Sequence, residues 1–395
     1  MRDVDKIFEL AKKHPFYAER YRDASNFADA PTTDKAHLYK VINQALDEDP
    51  TFREGVYLSP TGGSTPDRLL YFPTDIEDNQ LQRKMLSPYL NEAKIFSPQT
   101  ILLNLFGSNM MYRALEIFND FAERGRATVL PAGSQCEDGL AAEVATRFAA
   151  NSLIGNPSRI LQFARHVESQ AIPLKIEHLI FGGETLQEYK ADYLKDVLGI
   201  KRISAIYGSA ESGIWGYQPD ALELNCYFYP AEIMHIEILE PDDDGFGRMV
   251  LTNLVRTRNP LCRYDCGDIG RITETEHRGQ QRNMLEFKGR AENSFFIGSE
   301  YFSINDFREP LENLLEFQIQ ISFDESQKRD RIKFSLVAPN PEFIDANKET
   351  IKKQIRHIVQ SLDSWFTTEI EFVEISELQR SKTSQKVIKI IDQRS

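Results

Sequence analysis

The chain has 395 residues, 41% hydrophobic and 27% charged, with 47 basic and 60 acidic residues and a formal charge of −13. Its length allows two or three globular domains. The acidic balance argues against a general binder of nucleic acid or anionic membrane, and no run approaches the roughly 18 apolar residues of a membrane span.

Taken in chain order, residues 3–22 read as an amphipathic helix, with Val4, Ile7, Phe8 and Ala11 on one face. Met1–Lys6 lacks the apolar core of a signal peptide. Four cysteines are too few for a dense disulfide framework, so a cytoplasmic location is expected. Residues 23–55 are polar and mixed. A loop rich in Gly, Ser and Thr follows, and then an apolar segment, Leu69–Phe72, ahead of Pro73. Asp75 is placed to cap a helix running to about residue 92.

From about residue 100 to 206, strand and helix patterns alternate. Thr100–Phe106, Ala127–Leu130, Ile176–Phe181 and Ile200–Tyr207 read as strands; Tyr112–Arg124, Gly139–Ala150 and Leu186–Leu198 read as helices. This is the pattern of βαβ units and a largely parallel sheet, whose ligands sit at the C-terminal ends of strands. Further on, Glu232–Leu239, Arg248–Asn253, Ile269–Thr273 and Met284–Phe287 suggest a β-rich subdomain or barrel. Residues 291–395 read as a smaller α+β domain: hairpin 295–304, helix 306–315, strands 317–323 and 331–337, helix 345–361, and strands 369–373 and 386–391. The expected fold class is therefore α/β, with a large domain over 1–290 and a small one over 291–395. There are no internal repeats.

Five polar motifs punctuate this frame. Ser59-Pro60-Thr61-Gly62-Gly63-Ser64-Thr65-Pro66 offers hydroxyls and a close backbone approach to phosphate oxygens, without the Gly-Lys-Ser/Thr of a Walker loop. In Tyr207-Gly208-Ser209-Ala210-Glu211, the Glu211 carboxylate follows a strand and suits a magnesium ion beside phosphates. In Arg263-Tyr264-Asp265-Cys266-Gly267-Asp268, Asp268 can accept both hydroxyls of a ribose. Arg290 in Gly289-Arg290 can pair with phosphate or ribose oxygens. Lys386, near the C-terminus, can neutralise charge developing between a carboxylate and an α-phosphate. Each also has a plain reading: a surface turn, a solvated glutamate, a strand-capping aspartate, a linker arginine, a solvated charge run. Arg263 and Asp265 could simply pair with each other. Cys226, His235, Cys262 and Cys266 have zinc-ligand chemistry but match no finger spacing, and buried free thiols are the commoner outcome.

In this order, from Phe16–Tyr21 (FYAERY) to Lys386–Asp392 (KVIKIID), the chain resembles the adenylate-forming superfamily, most closely its phenylacetate–coenzyme A ligase-like branch. The resemblance implies an ATP-dependent, AMP-forming ligase that uses ATP and Mg²⁺. It would act on a small carboxylic acid, with coenzyme A or an acyl carrier protein as acceptor. It further implies that Thr61, Gly62, Gly63, Ser64 and Thr65 contact the ATP phosphates, and that Gly182, Gly183 and Glu184 lie along the adenine. Tyr207 would stack nearby, with Gly208 and Ser209 approaching the α-phosphate. Glu211 would hold magnesium, and Asp268 and Arg290 would hold ribose or phosphate. Residues 291–293 would form a hinge, and Lys386 would be the adenylation lysine. Phe106, Ala205, Ile206, Ile214 and Trp215 would flank the acyl group; ordinary core packing is the alternative and the commoner fate of such side chains. The family's usual Gly-Lys pair is missing between Thr65 and Pro66. An amine or protein acceptor, or a non-catalytic nucleotide-binding relative, stand as alternatives.

Overall fold

In the computed structural model, the described residues are 3–60, 71–108, 111, 113–183, 186, 188–220, 222–290, 294–297, 300–324, 329–359, 366–381 and 386–393. Within this set the chain divides into two compact units, one running to Lys288 and the other from Gly289 onward.

The first unit opens with helices α1 (Asp3–Lys13) and α2 (Lys35–Glu48), the hairpin β1 (Val56–Pro60) and β2 (Tyr71–Asp75), and helix α3 (Ile76–Glu92). α1 ends at Lys13 rather than at residue 22, since Pro15 disfavours helical backbone at the residue before it. α2 falls in the stretch with no clear pattern; the Asp34 carboxylate caps it, accepting from the His37 N–H at 2.7 Å. Asp75 caps α3 as its position suggests, accepting from the Asp78 N–H at 2.9 Å.

The alternating stretch comprises β3 (Ile101–Asn104), α4 (Ala114–Arg124), β4 (Thr128–Leu130), α5 (Asp138–Arg147), β5 (Ser152–Gly155), α6 (Pro157–Ser169), β6 (His178–Gly182), α7 (Glu188–Leu198) and β7 (Arg202–Ser209). Its strands are parallel, in the order β7-β6-β5-β3-β4. Successive residues face opposite layers. Leu102, Ile154, Ile180 and Ile206 pack with α3 and α4, whereas Leu103, Leu153, Leu179 and Ala205 pack with α5, α6 and α7. β5 and α6 escaped the sequence reading because β5 is only four residues long. Asn156, which accepts from the Arg159 N–H at 3.1 Å, and Pro157 at the first helical position mark where α6 starts.

β8 (Gly213–Gln218), β9 (Cys226–Phe228), β10 (Met234–Leu239), β11 (Gly247–Asn253), β12 (Tyr264–His277) and β13 (Gln280–Arg290) follow. The β-rich stretch forms no separate sheet here. β8 pairs antiparallel with β7, and the described strands join one sheet in the order β10-β11-β12-β13-β9-β8-β7-β6-β5-β3-β4. The α1–α2 region packs as a third cluster against Phe72, Leu261 and Tyr264.

The second unit holds the hairpin β14 (Ser294–Ile297) and β15 (Glu300–Ser303), then α8 (Arg308–Leu311), β16 (Glu316–Asp324), β17 (Arg329–Val337), α9 (Pro341–Val359), β18 (Phe366–Phe372) and β19 (Ile390–Asp392). Its sheet order is β18-β17-β16-β19, with an antiparallel centre and parallel edges. Ile351, Ile355 and Val359 of α9 pack on Ile319, Ile321, Ile332 and Phe334. The helix expected over 306–315 shrinks to α8, where Pro310 removes a backbone donor. No helix among the described residues is long and apolar enough to cross a membrane.

His178, on β6, is 4% exposed and its Nε2 lies 3.0 Å from the Ser204 hydroxyl. Burial, reinforced by the Arg202 charge, lowers its pKa to about 3. The unfolded chain takes up this proton near pH 6.5, so below that pH it binds more protons than the fold does. The resulting stability is complete above pH 6.5 and is lost as pH falls, at up to about 1.4 kcal/mol per unit. Urea unfolding between pH 4.5 and 7 should show this slope together with that of His14, whose pKa burial lowers to about 4, and His178→Gln should reduce it; an unchanged slope in the variant rules His178 out as a source.

Candidate functional site

The parallel strands β6 and β7 end side by side, with Gly182 opposite Ile206. A Cβ on Gly182 would stand 2.9 Å from the Ile206 carbonyl oxygen, and Gly183 has φ of 78°, so both glycines are required by the backbone itself. β7 then folds back into β8 through a tight hairpin, with Gly208 opposite Ile214 and Ser209 opposite Gly213. The hairpin is tied internally: the Ser209 and Ser212 hydroxyls lie 3.0 Å apart, and Trp215 Nε1 donates to the Ser212 hydroxyl at 3.1 Å. It is also tied from outside. The Gln82 amide of α3 donates to the carbonyls of Ser212 (3.0 Å) and Ile214 (2.8 Å), and the Asn253 amide donates to Ser212 O at 2.9 Å.

On one flank of the hairpin, the Tyr207 hydroxyl donates to Asp268 of β12, and Asp268 is 7% exposed. The Tyr207 ring stands 4.9 Å from Trp215, 5.0 Å from Tyr227 and 5.8 Å from Phe287, an aromatic wall beside the carboxylate. Two of the predicted motifs, far apart in sequence, thus meet through one hydrogen bond.

On the other flank, Glu211 is 6% exposed and accepts from the Tyr39 hydroxyl of α2 at 2.8 Å. Burial alone would raise its pKa. The Lys35 charge, the Tyr39 hydroxyl, its own N–H and Ser209 outweigh burial and hold the carboxyl below the usual range. Arg256, also buried, donates through Nη1 to the Glu211 carbonyl oxygen. Burial lowers the Arg256 pKa to about 10, opposed by Asp78 and Glu211, so it remains a cation at neutral pH. Tyr39, Gln82, Asn253 and Arg256 were not identified from the sequence. Each comes from an element distant in the chain, and no local spacing announces it.

The remaining candidates are distributed as follows. Phe106, Ile206, Ile214 and Trp215 belong to the layer of α3 and α4, and Phe106 stacks on Phe118 at 4.4 Å. Ala205 faces the opposite layer, so the fold does not bring it together with the other four. An open cavity of about 420 Å³ is lined instead by Val56, Tyr57, Leu58, Ser108, Met111, Arg113 and Glu116. Arg290 is the last residue of β13. Lys386 is half-buried in the second unit, where its carbonyl accepts from the Ser381 N–H at 2.8 Å next to an antiparallel bridge between Arg380 and Val387. Thr61, Gly62, Gly63, Ser64, Thr65, Glu184 and the expected hinge 291–293 lie outside the described residues.

Arg263 and Asp265 do not pair with each other. Arg263 grips Glu237 with Nε and Nη2 at 3.0 Å each, while Asp265 pairs with Arg248. The four cysteines are free, and no group of three or more metal-ligating side chains occurs among the described residues. Burial raises the thiol pKa of Cys226 to about 11 and that of Cys262 to about 12. His235 packs edge-on against Phe27 at 5.6 Å.

No family model matches the chain. Over 184 residues it is 26% identical to the indoleacetate–lysine synthetase of Pseudomonas savastanoi, covering 45% of this chain and 44% of that protein. Over 193 residues it is 28% identical to the phenylacetate–coenzyme A ligase of Pseudomonas putida, covering 45% and 42%. The chain thus spans less than half the length of these curated relatives. A crystal structure of 2-hydroxyisobutyryl-CoA ligase in its postadenylation state superposes with a TM-score of 0.76 at 16% identity, covering 99% of this chain and 88% of that one. In fold over nearly the whole chain the protein is similar to an acyl-CoA ligase, and in sequence over almost half of it to a phenylacetate–coenzyme A ligase and an indoleacetate–lysine synthetase.

Proposed function

We propose that the protein activates a carboxylic acid, aryl or small and apolar, as its acyl adenylate and passes the acyl group to a thiol. The observation that carries this reading is the β7–β8 hairpin. It holds Tyr207 on Asp268 along one flank and an anionic, buried Glu211 along the other, beside the C-terminal end of a parallel strand.

The residues suit the groups this chemistry requires. Asp268, already accepting from one hydroxyl, can accept from ribose hydroxyls. A single carboxylate kept ionised by Lys35 and Tyr39 suits Mg²⁺, which draws its other ligands from phosphates and water. When bound, the ion would neutralise phosphate charge. Ser209, held by Ser212, would orient the α-phosphate. The glycine backbones of 182–183 and 208 would leave room for a flat base and for phosphate oxygens. Phe106, Ile206, Ile214 and Trp215 would form the apolar side of the acid site.

In the first step a carboxylate oxygen attacks the α-phosphorus of ATP, forming an acyl–phosphate bond as the bond to pyrophosphate breaks. In the second, a thiolate attacks the acyl carbon and AMP leaves with the bonding electron pair. Lys386 would balance the charge of the first transition state, and residues 291–293 would act as the hinge between the two steps. Coenzyme A and a carrier-protein thiol are the proposed acceptors. The similarity to an indoleacetate–lysine synthetase supports a second reading, in which an amine takes the acyl group. The four free cysteines suit a reducing, cytoplasmic compartment.

Acid-dependent ATP–pyrophosphate exchange, measured over a panel of aryl and aliphatic acids, should appear with at least one aryl or small apolar member. If the whole panel stays silent, the first half-reaction is refuted. Mass spectrometry of products formed with coenzyme A or with lysine then assigns the acceptor.

A further inference from the structure

Arg256 is 3% exposed, and its Nη1 is committed to the Glu211 carbonyl. Its other two donor atoms, Nε and Nη2, have no hydrogen-bond partner among the described residues. These two atoms form the edge of the guanidinium that matches a pair of anionic oxygens. In two other arginines that edge is filled: Arg263 presents it to Glu237 at 3.0 Å from each atom, and Arg271 to Glu286 at 2.7 and 2.6 Å. A buried cation with unmet donors costs stability, and an apolar residue of similar volume is often tolerated better in its place.

The surroundings indicate what would fill this edge. The Arg256 guanidinium lies 5.7 Å from the centroid of Phe72, which pairs with Ser59 in the stem of the β1–β2 hairpin. Gly213 lies close to the same edge, since a Cβ there would come within 2.9 Å of Nη2. The guanidinium therefore stands beside the Glu211 backbone carbonyl and the Phe72 ring.

We propose that the Nε/Nη2 edge of Arg256 binds a pair of nucleotide phosphate oxygens. The inference rests on the nucleotide reading of the site given above. The carboxylate of the acid substrate is the competing source of such an oxygen pair.

The test compares the full-length wild type with Arg256→Met and Arg256→Lys, by calorimetric titration with Mg·ATP, adenosine and the acid found active in the exchange assay. Arg256→Met should weaken Mg·ATP binding by about tenfold or more, leave adenosine and the acid within about twofold, and keep or raise the thermal midpoint. Should Arg256→Met not fold, Arg256→Lys makes the same comparison, since it keeps the charge but loses the paired edge. Unchanged Mg·ATP affinity with a lowered midpoint makes Arg256 structural and overturns the proposal. Loss confined to the acid assigns the edge to the carboxylate and overturns it too, as does an equal loss for adenosine. A wild type that binds no Mg·ATP brings down the nucleotide reading together with this inference.

Discussion

Lys386→Ala is expected to lower acid-dependent ATP–pyrophosphate exchange about 10²- to 10³-fold while Mg·ATP binding stays within about twofold. The reasoning is that a charge needed in the transition state, more than in the bound ground state, lowers the rate and spares affinity when removed. Lys386 is half-buried, and alanine keeps the backbone carbonyl that accepts from Ser381 beside the Arg380–Val387 bridge. A matched loss of Mg·ATP affinity would make it a ground-state binding residue, and undiminished exchange would remove it from the chemistry altogether. A nucleotide-binding protein without turnover would show no exchange in the wild type.

The second large effect is structural. A Cβ on Gly208 would stand 2.2 Å from the Gly213 carbonyl oxygen and 2.8 Å from the Ile214 Cα, both backbone atoms of the facing strand. Neither can swing aside as a side chain end would, and the register is already irregular between Tyr207 and Gly208. Gly208→Ala should therefore destabilise the protein by about 3 kcal/mol or more, read as a lower urea midpoint. Because the same hairpin carries Ser209 and Glu211, exchange activity should fall even under conditions where the variant remains folded. A variant with wild-type stability would show that the hairpin is not packed this tightly.

The alternation that suggested βαβ units is visible in the sequence because β3 and β6 are buried on both faces, so each is mostly a short run of apolar residues. Their length and the caps between them are local properties. Asp75 before α3 is such a signal, and Asn156-Pro157 before α6 is another of the same kind that the reading passed over. α2 was missed because its apolar residues Leu38, Tyr39 and Ile42 pack on a cluster completed by Phe72, Leu261 and Tyr264, which no local window contains. The β-rich stretch was recognised as strand, but its attachment to the parallel sheet depends on one hairpin and on pairings between distant strands.

The site divides along the same line. Chemistry carried by a short motif could be read directly: glycines where strands end, a carboxylate after a turn, Asp268 in its own run. By itself the sequence determined the residue types, their order, and the α/β class that places Tyr207 to Glu211 at a strand end. Only the tertiary structure decided that Tyr207 meets Asp268, that Tyr39 and Arg256 enclose Glu211, and that Ala205 faces away from Ile206 and Trp215. The reason is physical. Helix caps and strand burial follow from a few neighbouring residues, whereas a buried carboxylate takes its partners from whichever elements packing brings against it. In Glu211 those partners are Tyr39, 172 residues away, and Arg256, 45 residues away.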